Sequence, residues 1–396
     1  MSQLASAGIA DGESLAIALD RAFELALQSA PANPQCAVVF VSGHDLDQQQ
    51  DSVQRVFRRR AEGLPVFGGS AESVIGTGHE IERTIAASVL LLGGSSEPFE
   101  VIHLECMNTP DGPAIFGLDD AHSERAERTR GMMIVACPKT FEIDMLAERF
   151  AWERSTSLVP ILGGYCSSQN WNQPNLLFCN DSVHQRGAVG LLLPSDWHWK
   201  TLVSQGCRPI GEPMIVTALE GDRLLGLGGR PALTQLHDMF RRLPNHEQAL
   251  AIDALLIGRA IDEYSDTFEH GDFLIRNVQG VDESAQAVVV TDRFQVGQTV
   301  RFHVRDAATA DADLNTLLGR GRKQLANAEA CMLISCNGRG KRMFGRPHHD
   351  SQAIQEVFPA TPVSGFFAAG EFAPIGRRNL THGFTAVAAF LCRNSS

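Results

Sequence analysis

Cys336-Asn337-Gly338-Arg339-Gly340 sits directly after an apolar run, Cys331 to Ser335, that reads as a buried strand. Further on come His349-Asp350, then Thr361-Pro362-Val363-Ser364-Gly365 leading to Gly370-Glu371, then Asn379-Leu380-Thr381-His382-Gly383 before a last strand, Phe384 to Leu391. These residue types read a small polar molecule. Arg339 and backbone N–H groups would hold a carboxylate, and Glu371 would pair with an ammonium. Glycines at strand ends let backbone approach a partner closely. The expected ligand-binding set is Cys336, Asn337, Gly338, Arg339, Gly370, Glu371, Asn379 and His382, joined by Gly69 and Gly164 from two upstream glycine pairs.

Other chemistry was weighed at the same residues. Cys336 could act as a nucleophile with His349 as base and Asp350 as its orienter, since a thiolate needs an imidazole or a helix N-terminus beside it. That makes a cysteine-dependent hydrolase or transferase the alternative function. Against it, His349 and Asp350 are sequence neighbours, and Asp350 could instead cap a helix over 351–358. Asn379 and His382 could simply stabilise a turn. His348, His349, Asp350 and His382 match no zinc or calcium spacing, so no metal ligand, catalytic residue or cofactor is assigned.

The elements that must position these residues recur. An apolar strand, an amphipathic stretch, Pro-apolar-x-Gly, a polar turn and a closing strand follow in the same order three times. The first copy runs from Cys36–Val41 through a helix over Val53 to Arg60 and the marker Pro65-Val66-Phe67-Gly68-Gly69-Ser70 to Ile85–Leu92. The second runs from Met132–Cys137 through a helix near Ile143 to Trp152 and the marker Pro160-Ile161-Leu162-Gly163-Gly164-Tyr165 to Ala188–Leu193. In the third, Pro362 holds the marker position. The interval from Pro160 to Pro362 is roughly twice that from Pro65 to Pro160, which leaves room for a diverged fourth unit over 205–300. Its candidate strands are 249–257, 272–278 and 285–290.

Neither glycine pair is a P-loop, because the Lys-Ser/Thr is missing, and Gly226-Leu227-Gly228-Gly229 reads as a hairpin followed by a helix start near Pro231. Trp197-His198-Trp199 would place both indoles on one side of a strand, as packing.

With 396 residues, 44% of them hydrophobic, the chain can bury a large core. A net charge of -12 argues against nucleic acid as a partner, and no apolar run is long enough to span a bilayer. Arg58-Arg59-Arg60 is expected at a helix C-terminus. Nine cysteines form no C-x-x-C pair, and the first residues carry no secretory pattern, so a cytoplasmic protein with reduced thiols is expected.

The C-terminal motifs, Ile334 to Gly340, Phe344-Gly345, Gly365-Phe366-Phe367 to Gly370-Glu371 and Asn379 to Gly383, with Gly297 to Asp306 upstream, resemble the FIST family (F-box and intracellular signal transduction proteins). The glycine markers at Gly68 and Gly163 resemble its N-terminal domain more loosely. The resemblance implies a small-ligand sensor, amino acids being the usual suggestion, with any signal passed to a separate partner protein because the chain has no room for an output domain. The domains expected are 30–204, N-terminal with two units, and 205–392, C-terminal with one clear and one diverged unit. The expected fold is α+β: repeated strand–helix–strand–strand units forming packed sheets with helices outside, in an α-β-β-α layering with the ligand near the domain interface.

Overall fold

The computed structural model describes residues 3–151, 158–265, 267–268 and 271–394. It divides into two compact units: Met1–Ser204 with Leu314–Thr381 and Thr385–Ser396, and Gln205–Asp313 with His382–Phe384. The fold is α+β.

The larger unit is built from three modules. The first contains β1 (Ala5–Asp11), α1 (Leu15–Leu27), β2 (Pro34–Ser42), α2 (Gln50–Arg60), β3 (Val66–Ala71), β4 (Ser73–Gly76), β5 (His79–Glu82) and β6 (Ala86–Gly93). The second contains β7 (Glu100–Thr109), β8 (Gly112–Phe116), α3 (Asp120–Arg128), β9 (Met132–Ala136), α4 (Ile143–Arg149), β10 (Ile161–Tyr165), β11 (Leu177–Cys179), β12 (Ser182–His184) and β13 (Ala188–Leu192). Trp152, expected at the end of its helix, lies outside the described residues.

β14 (Trp197–Gln205) leads into the smaller unit. There β15 (Cys207–Glu220), β16 (Arg223–Leu227), β17 (Arg230–Pro231), α5 (Ala232–Arg242), α6 (Asn245–Asp253), β18 (Leu255–Ala260), β19 (Phe273–Asp282), β20 (Ala287–Val290) and β21 (Thr299–Arg305) follow. α7 (Ala307–Gly321) returns to the third module: β22 (Ala330–Cys336), α8 (Lys341–Phe344), α9 (His349–Val357), β23 (Val363–Ala368), β24 (Glu371–Ile375), β25 (Arg378–His382) and β26 (Thr385–Arg393).

Each module sets the strand ahead of its marker parallel to the marker strand and antiparallel to its closing strand: β2 with β3 and β6, β9 with β10 and β13, β22 with β23 and β26. The marker glycine holds the same place in each parallel pair, Gly68 against Val39, Gly163 against Ile134 and Gly365 against Leu333. A Cβ at these glycines would lie 1.8, 1.9 and 1.8 Å from the facing carbonyl oxygen. The glycine is therefore a steric requirement of the close approach.

The modules also exchange hairpins in a ring. β4–β5 of the first extends the third sheet through β23, β24–β25 of the third extends the second through β10, and β11–β12 of the second extends the first through β3. Ser167 ties all three together: its hydroxyl donates to the Phe367 carbonyl and accepts from the Glu72 N–H at 2.8 Å.

One face of each of these three sheets joins a shared apolar interior that includes Phe40, Val135, Leu162, Ile334, Phe366 and Trp197. Helices cover the outer faces, α1 and α2 over the first sheet and α4 over the second. Helices thus lie outside and sheet faces inside, with three sheets around the interior. Trp199 is buried in that interior with Trp197, as packing. Arg58, Arg59 and Arg60 occupy the last turn of α2, where Arg59 and Arg60 pair with Asp20 of α1. No helix among the described residues is long and apolar enough to cross a membrane.

In the smaller unit the pairings run β15-β21-β18-β19-β20-β16, and a further β15–β16 pairing closes the ring. Every pairing in it is antiparallel, so the parallel pair that marks the other modules is not among its described pairings, although a diverged fourth unit is expected there. Residues 249–253, expected to begin a strand, finish α6 instead; the strand starts at Leu255. A short apolar run carries no period that separates the two, and Pro244 just ahead opens a helix. β16 follows a turn at Gly221-Asp222 and α5 starts after Pro231, as the glycine-rich stretch implies.

The glycine contacts give a paired test. Gly163→Ala should destabilise by at least ~3 kcal/mol, because its φ of 125° and the Ile134 carbonyl both oppose a side chain. Gly319→Ala in α7, where an added Cβ meets nothing within 4 Å, should stabilise by up to ~1 kcal/mol. Urea unfolding of both variants beside the parent measures the contrast.

Candidate functional site

β22 ends on Ser335 and Cys336, at the carboxyl edge of a parallel strand pair, where open α/β sheets commonly present their ligand-binding groups. The chain then turns back. Asn337 N–H donates to Ala368 O and Arg339 N–H to Cys336 O, both at 2.9 Å, and Gly340 takes φ 60°. The turn directs Arg339 inward.

There the guanidinium meets Asp350 in the first turn of α9. Nε donates to Oδ2 and Nη2 to Oδ1, each at 2.8 Å, and the two side chains are 0% and 1% exposed. Asp350 also accepts from Ser335 Oγ at 2.6 Å and faces His349 Nδ1 at 2.9 Å. Burial alone would raise the Asp350 pKa, but the Arg339 charge and these hydrogen bonds hold it well below the usual carboxylate range. The alternative in which Asp350 caps this helix does not hold: the cap position belongs to His348, and Asp350 is the counter-ion of Arg339. Adjacency in sequence does not keep His349 from Asp350 either. The His349 ring stacks on Phe344 at 3.4 Å and 8°.

Two acidic side chains flank this pair. Glu371, fully buried, accepts from Thr385 N–H at 3.2 Å and Thr385 Oγ1 at 2.7 Å through Oε2, while Oε1 is buried with no hydrogen-bond partner among the described residues. Burial pushes its pKa up to about 8, against the opposing effect of Thr385, the Cys336 thiol and the Arg339 charge. Glu371 thus keeps its proton at neutral pH.

Glu80, brought in by the exchanged hairpin β4–β5, accepts from Ser351 N–H at 3.0 Å, and its own N–H donates to His348 Nδ1 at 2.8 Å. Its Oε2 is likewise buried without a partner, and burial followed by the Asp350 charge raises its pKa to about 7. The remaining Arg339 nitrogen, Nη1, is the third unpartnered buried atom of the set. Glu82, also from the hairpin, accepts from Lys341 N–H, and Glu72 pairs with Arg342 at 3.0 Å.

Of the residues expected from the sequence, Cys336, Asn337, Gly338 and Arg339 lie together in one turn, and Glu371 reaches Cys336 and Arg339. Gly164 stands opposite Glu371 in the β10–β24 pair, and the Gly370 carbonyl accepts from Tyr165 N–H at 2.9 Å. Gly69 lies in a different sheet, in register with Phe40 and Leu177. Both ends of the Asn379 amide are engaged with backbone, Oδ1 accepting from Ile161 N–H and Nδ2 donating to Val159 O at 2.9 Å. His382 is buried and belongs to the smaller unit.

Ser335 and Glu80 are additions that sequence reasoning missed. A serine inside an apolar strand is a usable signal for the first; nothing local marks the second. A separate cavity of about 350 Å³ opens past the end of β9, lined by Cys106, Met107, Lys139, Phe141, Glu142 and Met145 among others, and by none of the expected residues.

The sequence matches the family models for the FIST N domain over residues 35–230 and the FIST C domain over 232–374. An uncharacterized protein of Mycobacterium tuberculosis (strain ATCC 25618 / H37Rv) is 36% identical over 360 residues, covering 90% of this chain and 91% of its own length. An uncharacterized protein of Mycobacterium bovis (strain ATCC BAA-935 / AF2122/97) is 37% identical over 358 residues, covering 89% of each chain.

Two outcomes follow from the buried charges. Asp350→Asn leaves Arg339 buried beside a neutral amide and should cost ~3–5 kcal/mol in chemical denaturation, whereas replacing both Arg339 and Asp350 with apolar residues of similar size should recover most of that loss. Glu371 binds its proton more tightly in the folded protein (about 8) than an exposed carboxyl does in the unfolded chain (4.5), so stability falls as pH rises through that window and levels off above it. Glu371→Gln should remove this slope, at most ~1.4 kcal/mol per pH unit, leaving the variant close to the parent at pH 5 and more stable at pH 8.5 in thermal melts.

Proposed function

The chain belongs to the FIST family, whose domains are associated with sensory signal transduction, and from that premise we propose that it is a small-ligand-binding sensor whose ligand is an amino acid read at the end of β22. The observation that carries this reading is the pair of buried, unpartnered polar atoms, Arg339 Nη1 and Glu371 Oε1, on side chains close enough to shift each other's titration. Leaving such groups without partners costs roughly 1–3 kcal/mol each, more when charged, and a ligand that supplies the partners recovers it on binding. An amino acid carries both complements, a carboxylate for the guanidinium and an ammonium for the carboxyl oxygen. The signal would pass to a separate protein in the cytoplasm, and the three modules sharing one strand order would be copies of one unit.

The test is calorimetric titration of the full chain with a panel of amino acids, beside Arg339→Lys, Lys139→Ala and Cys336→Ser, with folding checked by thermal melting. At least one amino acid should bind. Arg339→Lys should weaken it ten- to a hundred-fold, the worth of one charge-assisted hydrogen bond of about 1.5–3 kcal/mol. Lys139→Ala, in the cavity beyond β9, should leave affinity unchanged, and Cys336→Ser should change it less than Arg339→Lys does. Binding lost in Lys139→Ala alone moves the ligand to that cavity. A turnover abolished by Cys336→Ser replaces the sensor with cysteine chemistry.

A further inference from the structure

We infer that ligand binding at this site is coupled to the release of one proton from Glu371, so that the sensor's affinity is set by pH in the neutral range. The inference rests on the amino-acid reading above and adds to it the protonation state in which the site waits. Glu371 is closed off from water, and its two oxygens are treated differently. Oε2 takes two donors, the N–H and hydroxyl of Thr385 on β26. An oxygen that accepts twice is the carbonyl-like one, so the proton belongs on Oε1, which has no partner. An ammonium that comes to Oε1 as a donor must displace that proton: the O–H bond breaks, the proton leaves to solvent, and the ligand keeps its own charge. The carboxylate so formed is then paired rather than isolated, which is the condition for keeping a charge away from water.

The neighbouring groups agree with this direction. The Cys336 thiol on β22 and the Arg339 guanidinium in the following turn both favour the ionised form, yet burial outweighs them while no cation is present. Across β10 the facing position is Gly164, which has no titratable group. Asp350 on α9 acts through Arg339 as its counter-ion, His349 faces Asp350, and Glu80 on β5 adds a second acid raised by burial and by Asp350. β25, next to β24, ends at His382.

The experiment takes the amino acid that binds most tightly and repeats the calorimetry in two buffers of different ionisation enthalpy between pH 5.5 and 8.5. Near pH 6.5 about one proton should be released per ligand bound, falling toward zero above about pH 8, and affinity should rise about tenfold per pH unit below that point. Glu371→Gln should abolish the release and lower affinity at pH 8 by at least about tenfold, while methylammonium acetate bound by the parent should show the same release. Binding with no buffer dependence overturns the inference and leaves the ligand reading standing. Proton release that persists in Glu371→Gln but disappears in Glu80→Gln assigns it to Glu80 and equally overturns it. If no amino acid binds the parent at any pH, the ligand reading falls and this inference with it.

Discussion

Taking a guanidinium and a carboxylate out of water costs several kcal/mol per ion before their attraction is counted, and only near-ideal geometry offsets it. Arg339 and Asp350 meet that condition with two parallel contacts of 2.8 Å and further hydrogen bonds to the carboxylate from Ser335 and His349. The geometry of the third module follows from holding it. The turn after β22 must fold back to aim Arg339 inward, α9 must begin where Asp350 faces β22, and Ser335 must interrupt an apolar strand.

The pair also depends on a segment far away in the chain. Hairpin β4–β5 belongs to the first module by sequence but is a strand pair of the third sheet, and from there Glu80 caps the start of α9 while Glu82 and Glu72 hold the α8 segment. Because each module lends a hairpin to the next around the ring, no module completes its own sheet. That arrangement makes folding non-local and joins the three sheets into one cooperative interior.

Electrostatics give the site its character. One strong positive charge is matched by one strong negative, and burial disfavours the ionised forms of the two extra acids nearby, Glu371 more than Glu80. Such groups cost stability and are found where chemistry or binding uses them. The thiol of Cys336 sits among them, 3.9 Å from Asn337 Oδ1 and close enough to Glu371 to favour its ionised form, a placement that does not by itself make a nucleophile.

From the sequence alone came the α+β class, the strands that open and close each module and the three marker glycines, because apolar runs and Pro-apolar-x-Gly markers are local patterns; the facing carbonyl, under 2 Å from any added Cβ, shows why glycine is required there. The sequence also brought Cys336, Asn337, Gly338 and Arg339 to one place, since a single turn carries them. Tertiary structure alone decided that Asp350 answers Arg339 rather than capping its helix, that Asn379 spends its amide on the backbone of residues 159–161, and that residues 207–305 close into an antiparallel ring. Glu80 was illegible for the same reason: its partners lie about 270 residues away, and no local pattern records which sheet a hairpin will join. The state of Glu371 was equally beyond the sequence, because a carboxyl's charge is fixed by how much water its surroundings exclude, a quantity that exists only once the strands have packed around it.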